Sequence, residues 1–98
     1  MAHPFSIFAY IRTTDAIFLA DATSAAFQVT LPSAVGIVGR QYTIKRTNSG
    51  GNNVTVGCTG GQLVEGASTK ALGSQWAYVT LVGDNVGWVI VSQGGTVS

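Results

Sequence analysis

The dominant hydrophobic period along this chain is two. In FQVTL, Phe27, Val29 and Leu31 fall on one face of an extended segment, with Gln28 and Thr30 on the other. Pro32 ends that run, because it lacks an N–H and restricts the residue before it. RQYTIKRT alternates again, setting Tyr42 and Ile44 against Thr43 and Lys45. The cluster Asn48-Ser49-Gly50-Gly51-Asn52 predicts a turn, after which Val54, Val56 and Cys58 share one face opposite Thr55. This predicts a hairpin of Arg40–Thr47 with Asn53–Cys58. Earlier strands are expected over Phe5–Ile11 and Ile17–Ala20, with a turn from Asp21 to Ser24. Trp76–Val82 and Val86–Val91, joined by Gly83-Asp84-Asn85, predict a second hairpin.

Both faces of those last two runs are apolar. Trp76, Tyr78 and Thr80 oppose Ala77, Val79 and Leu81, and Trp88 and Ile90 oppose Val89 and Val91. Such strands need cover on both sides, from a second sheet or from a neighbouring subunit. One core in 98 residues does not easily bury them all, so oligomerisation is expected. The single helical candidate, Ser33–Val38, is too short for more than a turn or two. An apolar-Thr-apolar triplet recurs evenly at Val29, Val54 and Val79, which reads as regularly spaced strands rather than a solenoid. The chain is thus expected to be one all-β domain, a compact antiparallel β-sandwich or small barrel-like unit. Its ordered core would span residues 5–91, and residues 92–98 would form a tail that stays free unless a partner binds it.

Composition narrows the function. Hydrophobic residues make up 46% of the chain and charged ones only 9%, against about 25% in ordinary soluble domains. A surface so poor in ions has weak protection against association, which again favours burial in an assembly. The net charge of +1 lacks the basic footprint of a nucleic-acid binder. Arg40, Lys45 and Arg46 form the only basic cluster, and strand parity divides it. Arg40 and Arg46 share a face with Tyr42 and Ile44 while Lys45 points away, so surface or subunit contacts are expected rather than nucleic acid. The N-terminal apolar run stops at Arg12, too short to span a bilayer, and no secretory signal precedes it. Synthesis in the cytoplasm with no membrane partner is the expectation, and Asn53-Val54-Thr55 is read as an accidental glycosylation match.

Catalytic chemistry finds little support. Asp15, Asp21, Glu65 and Asp84 are the only acids, and most adjoin turn signals, which suits caps better than a glycosidase pair. His3 lies near the terminus beside Pro4 without an orienting partner. Cys58 is the only cysteine, so no internal disulfide forms, and its apolar surroundings do not activate a thiolate. One His and one Cys do not make a zinc site. The Gly-rich segments lack the helix start that a phosphate cradle needs, so no cofactor is expected. Trp76, Tyr78 and Trp88 could stack on sugar rings, although burial in a core or interface is the prediction for them.

The stations TTDAIFLAD, VTLPSAVGIVGRQYTIKRT, NNVTVGC, GQLVEG and ALGSQWAYVTLVGDNVGWVIV, taken in order, resemble a small β domain of tailed-bacteriophage virion proteins. That family includes tail-fibre, tail-spike, minor-tail, head-fibre and capsid-decoration components. The resemblance covers about residues 10–91. It departs at Leu63-Val64-Glu65-Gly66, where an Ile-Asp-Gly turn is usual, and at Asp84–Trp88, where the usual Asp-Gly before tryptophan is shifted. The resemblance implies a compact β module, usually trimeric, that binds itself and other capsid or tail subunits in the virion. It carries over no catalytic residue. Val35, Ile37, Val38, Arg40, Lys45 and Arg46 are the expected subunit or virion contacts, and a host-surface glycan stacking on Trp76, Tyr78 and Trp88 is the alternative.

Overall fold

The computed structural model describes residues 8–10, 17–36 and 38–98, with the backbone alone at 8–10. Among the described residues there are eight strands: β1 (Phe8–Tyr10), β2 (Ile17–Ala20), β3 (Phe27–Thr30), β4 (Gln41–Arg46), β5 (Val54–Gly57), β6 (Thr69–Leu72), β7 (Tyr78–Gly83) and β8 (Trp88–Gly94). Strands of the predicted parity form where alternation was clean. Phe27, Val29 and Leu31 are all buried, as are Tyr42, Ile44, Val54 and Val56. The expected first strand over 5–11 is described only at 8–10, and no helix forms within 33–38, where Ile37 lies outside the described residues.

Two four-stranded sheets result, in the orders β1-β3-β5-β6 and β2-β4-β7-β8. Both are mixed, which corrects the expected antiparallel sandwich. β1 and β5 each flank β3 in parallel, and β2 pairs with β4 in parallel. From β1 to β5 the chain alternates between sheets, so each strand lands beside the one two places earlier. The predicted hairpin of 40–47 with 53–58 is therefore absent: β4 and β5 lie in different sheets. Instead β4 pairs with β7 and β5 with β6, both antiparallel. The Gly-rich segment does bend the chain, at Gly50 and Gly51, but it carries it to the other sheet rather than back along the same one. The evenly spaced triplets explain part of this winding. Val29 sits opposite Val56 in parallel pairing, whereas the third triplet, at Val79, belongs to the antiparallel half of the other sheet.

The β7·β8 hairpin forms as predicted, with a bulge that shifts the register between Leu81↔Ile90 and Thr80↔Ser92. Beyond it the expected free tail is paired: β8 runs to Gly94, and the last residues return to the other sheet. Ala71 and Ser98 exchange backbone bonds at 2.8 and 3.0 Å, and Gly73 donates to Thr96 at 2.8 Å. Val97 packs against the core, which gives this segment an apolar reason to dock.

Phe18, Val29, Leu31, Tyr42, Ile44, Val54, Val56, Leu72, Val79, Leu81 and Trp88 fill the space between the sheets. Each such side chain contributes about 1.5–3 kcal/mol by leaving water. Tyr42 and Trp88 pack ring to ring at 5.4 Å between centroids. Arg46 is the one charged side chain buried among the described residues. Parity places it with Tyr42 and Ile44, and it is 0% exposed. Its guanidinium donates to Asn48 O (3.2 Å), Asn53 Oδ1 (3.1 Å), Leu72 O (3.1 Å) and Gly50 O (2.7 Å). One side chain thus ties β4, the Asn48–Asn53 crossing and β6 together.

Candidate interaction surface

Three loops meet at one end of the sandwich. Gly36 N donates to Asn85 Oδ1, and Gly39 N to Gly83 O, joining the segment after Pro32 to the β7·β8 turn. Gln62 accepts from Ala34 N and donates to Ser33 Oγ, each at 2.9 Å. Trp88 Nε1 donates to Pro32 O at 3.2 Å from beneath. The loops are therefore fixed to one another by their polar groups, which leaves apolar side chains to point outward. Val38 is 70% exposed and Val86 77%, with Val35 and Leu63 exposed beside them.

The expected contacts Val35 and Val38 thus lie on this end, and Arg40 is exposed at its margin. Ile37, the third apolar member, lies outside the described residues. Arg46 is corrected: its burial and four internal hydrogen bonds remove it from any surface. Sequence reasoning missed Val86 and Leu63, although an apolar residue inside the turn signal Asp84-Asn85-Val86-Gly87 was the available clue.

The outer face of the β2-β4-β7-β8 sheet is the second exposed apolar area. Ile17, Leu19 and Val89 are exposed on it, and Val91 stands out at the bulge. Ile17 lies opposite Thr43, and Thr43 opposite Thr80, whose hydroxyls share a hydrogen bond at 3.0 Å. The next row runs Leu19, Lys45, Tyr78, Gly94. A Cβ on Gly94 would lie 2.4 Å from Tyr78 Cε1, so the tyrosine ring covers the glycine backbone. Lys45 Nζ stands 5.5 Å from the Tyr78 ring centre and 5.9 Å from that of Trp76.

The three aromatics proposed for stacking separate here. Trp88 is 1% exposed and belongs to the core, so it cannot meet a ligand; Trp76 is 55% exposed and Tyr78 half-buried. Trp76 has φ 70, a left-handed conformation that is uncommon for so bulky a residue. Its amide donates to Arg46 O, and Gln75 Nε2 donates to Thr47 O, which fixes the turn that presents the ring.

A depression of about 300 Å³ lies between the 61–66 and 84–89 segments and is lined by both Glu65 and Asp84. Neither carboxylate is idle. Glu65 Oε2 accepts from Ile90 N, and Asp84 Oδ1 accepts from Gly87 N and Val86 N. Those backbone bonds hold the Asp84 carboxyl below its usual range, the opposite of what a general acid needs. Asp21 is likewise lowered, first by the Thr23 hydroxyl and then by the Thr23 amide. Both act as turn caps. Burial pushes the Cys58 thiol up to about 11, so little thiolate exists near neutral pH. Among the described residues no three His, Cys, Asp or Glu side chains gather as metal ligands, and no helix is long and apolar enough to cross a membrane. His3 and Asp15 lie outside the described residues. Compared with known protein families and with curated protein sequences, the chain matches none.

Proposed function

We propose that this chain is a non-enzymatic structural component of a bacteriophage virion, binding copies of itself and neighbouring capsid or tail subunits. Decoration, head-fibre and tail-accessory roles all fit this chemistry. The observation that carries the reading is the outward placement of Val35, Val38, Leu63 and Val86 on loops held fast by polar bonds. Exposed apolar groups on a rigid frame, with few charges around them, suit association without a large ordering cost. The order of motifs from residue 10 to 91 supplies the virion context, and the trimeric state follows from the same resemblance. Cryo-microscopy of particles carrying the chain tests this. Density with the loop end or the outer sheet face against another subunit supports the proposal; density with both surfaces in open solvent refutes it.

Trp76 favours a second reading, a host-glycan contact. An exposed indole held at positive φ beside Tyr78 and Lys45 offers a stacking surface with one cation. Binding on a glycan array that falls about tenfold or more in Trp76→Ala supports this second reading. An array without signal removes it.

A further inference from the structure

Among the described residues β8 is an edge strand, and its outer edge is treated differently along its length. At Trp88 the edge is paired: Trp88 N donates to Leu63 O and Glu65 N donates to Trp88 O, both at 2.9 Å. That close pairing requires Gly87, where a Cβ would lie 2.6 Å from Leu63 O. The next outward amide, Ile90 N, donates to the Glu65 carboxylate at 3.0 Å. Beyond it, among the described residues, no strand or bridge lies on that side.

Glu65 and Gly66 are the two central residues of the tight turn closed by reciprocal bonds between Val64 and Ala67, with φ 49 and 81. Two-residue turns with both φ positive favour Asn or Asp before Gly, so glutamate is a costly choice for the backbone. Its longer side chain is what spans the gap to Ile90. The strand being covered needs it. Trp88–Gly94 holds no charged residue and no proline, which are common protections of a free edge, and Val89 and Val91 are exposed along it.

We infer that Glu65 is an edge guard, whose carboxylate occupies the Ile90 amide and closes β8 against strand addition by the β8 of a second copy. A strand paired with itself across a two-fold axis is antiparallel, the same sense as β7·β8, and here would set uncharged residues against uncharged ones. This contact is separate from the face and loop contacts proposed above and does not depend on them.

The test compares the full chain with Glu65→Gln, Glu65→Ala and Glu65→Gly, by sedimentation over a range of concentrations and by amide exchange at Ile90. Gln keeps an acceptor oxygen and should match the parent. Ala and Gly should give concentration-dependent species larger than the parent's assembly, with Ile90 exchange faster by about tenfold or more at concentrations below that association and slowed again once the larger species forms. The Gly variant relieves the positive φ, so association there does not come from a destabilised turn. Parent-like size in Ala and Gly overturns the inference, whether or not Ile90 exchange changes, and so does association in which Ile90 exchange stays fast.

Discussion

The Arg46 guanidinium holds four oxygens, three from the Asn48–Asn53 crossing and one from β6. Alternation placed it with Tyr42 and Ile44, but a charged side chain beside Lys45 read as surface. Alternation does not mark the carbonyl oxygens that converge on it: Leu72 O comes from the opposite sheet, and Asn48 O and Gly50 O from a connection whose path a periodic pattern does not set. Removing the guanidinium takes one donor from each of those oxygens, two of them in buried bonds. Arg46→Met should therefore lower stability by roughly 3–5 kcal/mol. Arg46→Lys should recover only part of this, since one ammonium cannot span four acceptors in a planar fork. Urea midpoints read both, and a parent-like Met variant would contradict the assignment. Asp84 and Asp21 carry a pH dependence. Their folded carboxyls ionise below the ordinary 3.8, so their contribution is present above that value and is lost as pH falls through the folded ones. The urea midpoint should decline in that acid window, and the decline should shrink in the Asp21→Asn, Asp84→Asn double variant.

At the scale of elements, parity was legible and partnership was not. A period of two says which face of a strand is buried, but parallel and antiparallel partners can leave the same alternation. The β7·β8 hairpin was legible because a short turn lies between its strands, and a two- to five-residue connection leaves few alternatives. The connection from β4 to β5 carried an equally strong turn signal and crosses between sheets, drawn in by Arg46 bonding to Asn48, Gly50 and Asn53. The terminal segment misled for a related reason: GGTVS looks like solvent-exposed chain until Val97 meets the core and Ser98 meets Ala71. Truncation after Gly94 removes the three backbone bonds made by residues 96–98 together with the Val97 contact. It should cost roughly 2–4 kcal/mol in thermal or urea unfolding. A free tail would cost nothing.

At the scale of the whole molecule, the strand pattern pointed to β7 and β8 as the site of surplus apolar surface, and the structure spreads the exposed apolar groups more widely. One face of the β7 run, Val79 and Leu81 with Ala77 just before the strand, is met inside the chain by the opposite sheet. The surplus lies instead on Ile17, Leu19, Val35, Val38, Leu63, Val86 and Val89. Several of these are short apolar residues in or beside turns, where no periodic argument assigns a face. Self-association through that surface is the central claim, and light scattering of the purified chain at micromolar concentration tests it most directly. The account predicts an assembly near three times the 10.1 kDa chain mass, shifted toward single chains by the pair Leu19→Asp, Val86→Asp with the fold intact. A parent chain that stays at 10.1 kDa across that range would contradict it.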